Sequence, residues 1–268
     1  MSETYVLSIP TGDAFVRPTA LAVSHPGHEL RLMKWVEQTR PAVFILTSGS
    51  RSGTSRSRVQ ASRDLARELG ATPAELFGRH LDREVYDWIL AGDAAPFFAL
   101  ADELAESFVA RDIGRVVTDA WQLYNVAHDL WRLTVEVAAG AAGAKLGRAV
   151  EVLDYPVVPP SMVTPQPGPE RLRLDLSQAD VARKLALARA FPEIGDDVTE
   201  LLTLGGEAML ARETLHDLRP FRDLAPRPGE TPLYEQFGEA RVASGLYGSV
   251  LRWRHVAPIV MALTGVMA

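Results

Sequence analysis

The sequence contains no cysteine. Disulfide frameworks, thiolate metal sites and cysteine nucleophiles are therefore excluded, and any metal ion must be held by histidine, aspartate or glutamate. Basic residues are in deficit too, because 28 lysines and arginines stand against 34 acidic residues, for a net charge of −6. This charge offers no field that would attract nucleic acid, so we expect a small-molecule substrate rather than a polyanion.

Long apolar runs are also missing. No stretch reaches the roughly 18 residues that a membrane-spanning helix needs, and the apolar segment 257–268 is too short. The segment 1–13 carries an acidic residue where a secretory signal needs positive charge. We therefore expect a cytoplasmic protein that makes no membrane contact. A homo-oligomer is compatible with the sequence, which singles out no surface for self-association.

Apolar runs alternate with amphipathic stretches over the first 158 residues. Alternating strands and helices form a mostly parallel sheet, so this order predicts an α/β, Rossmann-like fold with helices on both faces of the sheet. The predicted strands are 19–24, 42–47, 115–120 and 149–158, and the predicted helices are 29–40, 57–69, 96–110 and one that begins near Val126.

A proline-rich segment follows this core. Residues 159–170 hold five prolines in twelve positions, which excludes regular structure and indicates a boundary or a long rim loop. The remaining chain, 171–268, is predicted to be a strand plus a mainly helical part packed on the core 1–158. Its predicted elements are an outer strand at 171–177, a helix capped by Ser177 and two further helices near 197–216 and 234–264.

Three histidines follow predicted strands. His25 and His28 come directly after the first strand, and His128 follows the strand that ends near Ala120. Open parallel sheets bind ligands outside the carboxyl ends of their strands. Three neutral imidazoles with one open position form a typical catalytic zinc site. Because two histidines three apart also occur by chance in loops, the surrounding residues decide between these interpretations.

These surroundings resemble the LmbE/PIG-L family of zinc-dependent N-deacetylases. That family has the motif His-Pro-Asp-Asp-Glu after an apolar strand and a His/Asn-Pro-x-His segment after a later strand, and this chain has SHPGHE at 24–29 and NVAH at 125–128. The strand end TSGS at 47–50 and the helix end LARELG at 65–70 add to the resemblance, which covers about residues 18–158. The resemblance implies a Zn²⁺ hydrolase that removes an N-acyl group, above all acetyl, from a sugar-like or secondary metabolite.

Matched position by position, the zinc ligands of the family fall on His25, His28 and His128. The family has an aspartate where this chain has His28, and imidazole is an equally competent zinc donor. The family's base aspartate falls on Gly27, which has no side chain. A three-histidine zinc ion lowers the pKa of bound water to about 7, so a base is needed less.

Alternatively, another carboxylate acts as the general base in place of the residue at position 27. Asp119 ends a strand at the right sheet edge and Glu29 is nearest in sequence, so either one is a candidate general base. Either one could instead orient an imidazole N–H. Asn125 is a candidate donor to an oxyanion, or a cap for the helix that follows it.

Other polar residues carry weaker expectations. His80 lies in the polar segment 79–82 and is predicted to be solvated, although Asp82 stands where related proteins often keep an acidic residue. His216 is predicted near a helix end, where its charge would favour the helix dipole.

Three functions are compatible with these features. The first is a zinc-dependent N-deacetylase, the second is a different metal-dependent reaction in metabolite biosynthesis, and the third is a binding protein without turnover. A dinucleotide-dependent oxidoreductase is disfavoured, because the loop after the first strand lacks G-x-G-x-x-G.

Overall fold

The structure is a computed structural model that describes residues 17–49, 55–163, 166–220 and 225–265. The segment 1–13, on which the expectation of a cytoplasmic protein rested, lies outside these ranges. The strands are β1 (Thr19–Val23), β2 (Ala42–Thr47), β3 (Thr72–His80), β4 (Arg115–Asp119), β5 (Glu151–Tyr155), β6 (Glu170–Asp175) and β7 (Arg212–Asp217). The helices are α1 (Met33–Thr39), α2 (Ser55–Glu68), α3 (Asp82–Ala91), α4 (Ala95–Ala110), α5 (Val126–Leu146), α6 (Gln178–Ala190), α7 (Asp196–Gly205), α8 (Leu233–Ala243) and α9 (Trp253–Gly265).

The seven strands form one sheet in the order β3-β2-β1-β4-β5-β7-β6. The first five pair in parallel, and β7 is antiparallel to both β5 and β6. The predicted α/β fold with a mostly parallel sheet is confirmed. The strand order reverses between β1 and β4, and this switch point is where doubly wound sheets bind ligands beyond the carboxyl ends of the strands.

Helices cover both faces of the sheet. In β1, Ala20 and Ala22 belong to one apolar cluster with residues of α3, α4, α5 and α9, whereas Leu21 and Val23 belong to a second cluster with residues of α1, α2, α6 and α7. All five residues of β1 are buried, as expected for a parallel strand enclosed by helices on both sides. Because strands buried on both faces need continuous apolar residues, β1 and β2 could be predicted from their apolar runs.

Strand β3 has no counterpart among the predicted strands. It lies at the sheet edge, and only Ala74, Leu76 and Phe77 among its nine residues are buried. An edge strand needs only one apolar face, and Pro73 and Gly78 interrupt its pattern further. A half-exposed strand that contains proline therefore lacked the apolar run by which the other strands were recognised.

The C-terminal part differs from the prediction in two places. The single helix expected at 197–216 is helix α7 followed by strand β7, and Gly206, at φ 68°, separates the two elements. The helix expected at 234–264 is interrupted at residues 244–252, where Gly245 has φ 75°. A residue with positive φ is usually glycine and ends a helix. The prediction followed the spacing of apolar residues, which carries no information about the conformation of a glycine.

His216 therefore lies in a strand, and its predicted interaction with a helix dipole is wrong. Its Nδ1 atom lies 3.0 Å from the carbonyl oxygen of Gly168, and its Nε2 atom lies 3.1 Å from Oγ1 of Thr214. The proline-rich segment is loop in its described part, apart from a short 3-10 turn at Pro160–Met162. Within the described ranges, every helix is too short or too polar to cross a membrane.

A buried carboxyl on β5 predicts a pH dependence of stability. Burial raises the pKa of Asp154 to about 7, although the charge of Arg132 lowers it and the charges of Glu136 and Asp217 raise it further. In the unfolded chain an aspartate has a pKa of about 3.9. The folded state therefore binds more protons, so this group makes the free energy of unfolding fall as the pH rises from about 4 to about 7.

Replacing Asp154 by asparagine should remove this contribution. Urea unfolding at about pH 5 and about pH 8 should show the variant gaining stability relative to the wild type at the higher pH. A stability difference that stays constant with pH would contradict the assignment.

Candidate metal centre

A buried carboxylate shapes the loop after β1. The chain turns at Gly27, whose φ of 105° lies in the left-handed region, and continues as a 3-10 turn at His28–Leu30. Glu29 is fully buried, and its Oε2 atom accepts the Gly27 N–H at 3.0 Å. Its Oε1 atom accepts the hydroxyl of Ser62 on α2. Both carboxylate oxygens of Glu29 therefore hold the loop in place.

The N-terminus of α5 carries the third histidine. Asn125 caps the helix, because its Oδ1 atom accepts the backbone N–H of Ala127 at 3.0 Å. The buried Asp129 accepts the backbone N–H groups of Gln122 at 2.8 Å and Leu123 at 3.3 Å. These bonds hold the loop after β4 against the first turn of the helix, from which His128 projects.

The three predicted histidine ligands meet at the switch point of the sheet. Ring centroids lie 5.5 Å apart for His25 and His28, 4.9 Å for His25 and His128, and 4.8 Å for His28 and His128. Three imidazoles arranged tetrahedrally around one ion, with nitrogens about 2.0–2.1 Å from it, would have centroids about 5 Å apart. The centroid separations match those of three imidazoles around one ion, whereas the described ligand atoms that lie within 4.8 Å of one another belong to His28, Asp119 and His128.

Hydrogen bonds define the tautomer of His25. Its Nδ1 atom lies 2.7 Å from Oγ1 of Thr47, whose hydroxyl donates its single proton to the carbonyl of Ser24 at 3.2 Å. With the hydroxyl proton donated to this carbonyl, Nδ1 of His25 is assigned as the donor to Oγ1. On the other side of the ring, the amide Nδ2 of Asn125 lies 3.4 Å from Nε2. An amide nitrogen can only donate, so Nε2 carries the lone pair.

Asp119 defines the tautomer of His28 in the same way. It is fully buried at the end of β4, and its Oδ1 atom lies 3.0 Å from Nδ1 of His28 and accepts the hydroxyl of Tyr155 at 2.8 Å. Its Oδ2 atom accepts the Ser24 N–H at 2.8 Å. Burial opposes ionisation of Asp119, but the interactions with His28, His128 and Ser24 outweigh burial and hold its pKa well below the usual range. An ionised Asp119 accepts the Nδ1 proton of His28, which places the lone pair of this ring on Nε2.

A metal ion also fits the third imidazole. Burial lowers the pKa of His128 well below its ordinary value, so the ring is neutral. Its Nε2 atom is buried and has no hydrogen-bond partner among the residues that the structure describes. Leaving a buried polar atom unpaired costs about 1–3 kcal/mol, and in the tautomer with its proton on Nδ1 the ring could bind a metal ion through Nε2.

Asp119 could also reach a metal ion by distance. Ligand atoms of His28, Asp119 and His128 all lie within 4.8 Å of one another. The oxygens of Asp119, however, already accept three hydrogen bonds, from Ser24, His28 and Tyr155. Coordination through Nε2 of His28 would keep all three bonds, including the one between its Nδ1 atom and Asp119.

The sequence motifs give little or no indication of three polar residues near the site. Thr47 and Tyr155 end strands β2 and β5, and a polar residue at the carboxyl end of a parallel strand is the signal that could have identified them. The sequence marks Asp82 only as an acidic residue, whereas in the structure its Oδ1 atom lies 3.3 Å from Nδ1 of His25. His80 ends β3 with its ring 5.1 Å from that of Trp88, so it is half-buried rather than solvated.

Known proteins resemble this chain at the level of solved structures, whereas no family model and no curated protein matches it. The conserved protein TT1542 from Thermus thermophilus is 14% identical with a TM-score of 0.48, over 80% of this chain and 99% of that chain. A zinc-inhibited form of the teicoplanin deacetylase Orf2 is 12% identical with a TM-score of 0.40, over 74% and 96%. The A40926 pseudoaglycone deacetylase Dbv21 is 14% identical with a TM-score of 0.45, over 74% and 96%. At these identities the function has to rest on the chemistry of the site itself.

Proposed function

We propose that this protein is a zinc-dependent hydrolase that removes an N-acyl group, above all acetyl, from a small sugar-like or secondary metabolite. His25, His28 and His128 would hold the ion through their Nε2 atoms. The observation that carries the proposal is the cluster of three imidazoles with centroids 4.8–5.5 Å apart, in which Nδ1 of both His25 and His28 donates away from the cluster. A bound zinc ion supplies a Lewis acid for an amide carbonyl and lowers the pKa of water.

Asn125 is the proposed donor to the oxygen of the scissile amide. Its Oδ1 atom is engaged in capping α5, and its Nδ2 atom faces the site 3.4 Å from Nε2 of His25. The cap thus fixes which end of the amide is presented, and an oriented donor stabilises developing negative charge without having to reorganise. Both sequence-based interpretations of Asn125, oxyanion donor and helix cap, can therefore apply to one side chain.

We assign positioning roles to the two carboxylates that were candidate bases. Asp119 would hold the ring of His28, and Glu29 would hold the loop through Gly27 and Ser62. All four carboxylate oxygens accept hydrogen bonds that fix the orientation of the two side chains. Proton transfer by a carboxylate at position 27 is impossible, because Gly27 has no side chain.

The same glycine favours a second candidate function. A different metal-dependent reaction, which needs no carboxylate at this position, would use the same three histidines. The φ of 105° at Gly27 is unfavourable for residues with a side chain, so the loop backbone suits glycine here. Turnover of a substrate panel distinguishes the two candidates.

Metal analysis and substrate profiling test the proposal. The purified protein should bind about one equivalent of zinc. It should also release acetate from N-acetylated amino sugars, and chelation should abolish this release until zinc is added back. Zinc content of only a few tenths of an equivalent after reconstitution would overturn the metal site. Stoichiometric zinc without cleavage of any N-acyl substrate would overturn deacetylation in favour of the second candidate.

A further inference from the structure

We infer that Asp82 is a positioning residue for His25, a role that rests on the proposed zinc site. Its Oδ1 atom lies 3.3 Å from Nδ1 of His25, the nitrogen opposite the one proposed to bind metal. The side chains are only 21% and 15% exposed, respectively, so water screens this contact little. Asp82 is not part of either histidine motif and lies 57 residues beyond His25 in the chain.

The fold places this carboxylate at the site through strand pairing. Thr47 at the end of β2 pairs with His80 at the end of β3, and the carbonyl of His80 accepts the Ser48 N–H at 2.8 Å. Helix α3 begins two residues later with Asp82, and the Glu84 side chain secures its start by accepting the Leu81 N–H at 3.0 Å. The position of Asp82 is therefore set by regular structure on both sides.

At this position the carboxylate can act on His25 in two ways. Oγ1 of Thr47 accepts the Nδ1 proton, and the negative charge of Asp82, 3.3 Å from the same nitrogen, stabilises this tautomer with the lone pair on Nε2. Its negative charge also makes the imidazole a stronger donor to a metal ion. Asp119 likewise faces Nδ1 of His28, and there it accepts a hydrogen bond of 3.0 Å. Two of the three proposed ligands thus have a carboxylate beside Nδ1. These two negative charges near the site compensate for the neutral histidine at position 28, where the family has an aspartate ligand.

A simpler role for Asp82 is to stabilise helix α3. An acidic residue in the first turn interacts favourably with the helix dipole, at about 0.3–1 kcal/mol. Such a role would affect the stability of the protein but not its affinity for zinc. The two roles therefore predict different measurements.

Replacing Asp82 by asparagine tests the inference, because it removes the charge and keeps the size. Competition with a chromophoric chelator should show that the apo variant binds zinc about 10- to 100-fold more weakly than the wild type. The absorption spectrum of the cobalt-substituted protein should shift as well, because the ligand field of His25 changes. Asp87→Asn is the matched control, since Asp87 is an exposed carboxylate on the same helix.

Each outcome has a distinct meaning. Zinc affinity and cobalt spectrum that are unchanged in D82N, with or without a loss of stability, would overturn the positioning role. A wild-type protein that binds no zinc would instead overturn the proposed function, and the role of Asp82 with it. Asp82→Ser provides a second variant that also lacks the charge, so a folding defect specific to asparagine does not decide the result.

Discussion

Replacing His128 by alanine should lower zinc affinity by at least about 100-fold, because losing a residue that only orients a ligand already costs about 10- to 100-fold and this change removes a ligand. The side chain is buried and neutral, and its Nε2 atom has no other partner within the described residues. Acetate release from N-acetylated substrates should fall with the zinc content. Both quantities can be measured on the same apo protein as zinc is titrated back.

Added imidazole separates loss of the ligand from loss of the fold. The substitution leaves a cavity the size of the missing ring, so millimolar imidazole should restore part of the zinc binding in H128A. His216→Ala is the control, because His216 lies in β7 among Gly168 and Thr214. Full zinc affinity in H128A would rule out His128 as a ligand.

Removing the charge of Glu213 should cause a large loss in the free energy of unfolding. Glu213 on β7 and Lys184 on α6 are 3% and 1% exposed, and Nζ of Lys184 donates to Oε1 of Glu213 at 2.8 Å. Glu213 also accepts the backbone N–H groups of Lys34 at 3.0 Å and Trp35 at 2.9 Å, in the first turn of α1. Breaking a buried ion pair costs about 3–5 kcal/mol, so Glu213→Gln should lower the free energy of unfolding by that amount.

Urea unfolding of three variants tests this prediction. The double variant Glu213→Gln, Lys184→Met should regain part of the stability, because no unpaired ammonium group remains buried. Asp175→Asn is the control, since Asp175 pairs with Arg212 at 2.8 Å where both side chains are more than half exposed. Exposed pairs contribute about 0–1 kcal/mol, so equal losses in E213Q and D175N would contradict the prediction.

Glu213 also shows why local patterns do not specify every helix end. Helix α1 has Leu32 at its N-cap position, and no side-chain cap forms there. The missing acceptor comes from a strand almost 180 residues later in the chain. No capping rule applied to the residues around 32 could identify it, because the interaction exists only once β7 joins the sheet.

The site shows the same division between local pattern and tertiary contact. The sequence placed His25, His28 and His128 at one sheet edge, because a parallel sheet brings the carboxyl ends of its strands together. It could not choose between proton transfer and positioning for Asp119 and Glu29. That distinction depends on contacts such as Ser24 to Asp119, which joins residues 95 apart in the chain.

The sequence by itself determined the α/β class, the parallel core strands and the residues available to bind a metal ion. Fully buried strands and the turns after them leave local signals, since burial on both faces requires unbroken apolar runs. Only the tertiary structure decided which nitrogen of His25 and of His28 carries the lone pair and that Asp82 faces His25. It also decided that β7 extends the sheet where a helix was expected. These features depend on hydrogen bonds and packing between distant segments, which no local periodicity encodes.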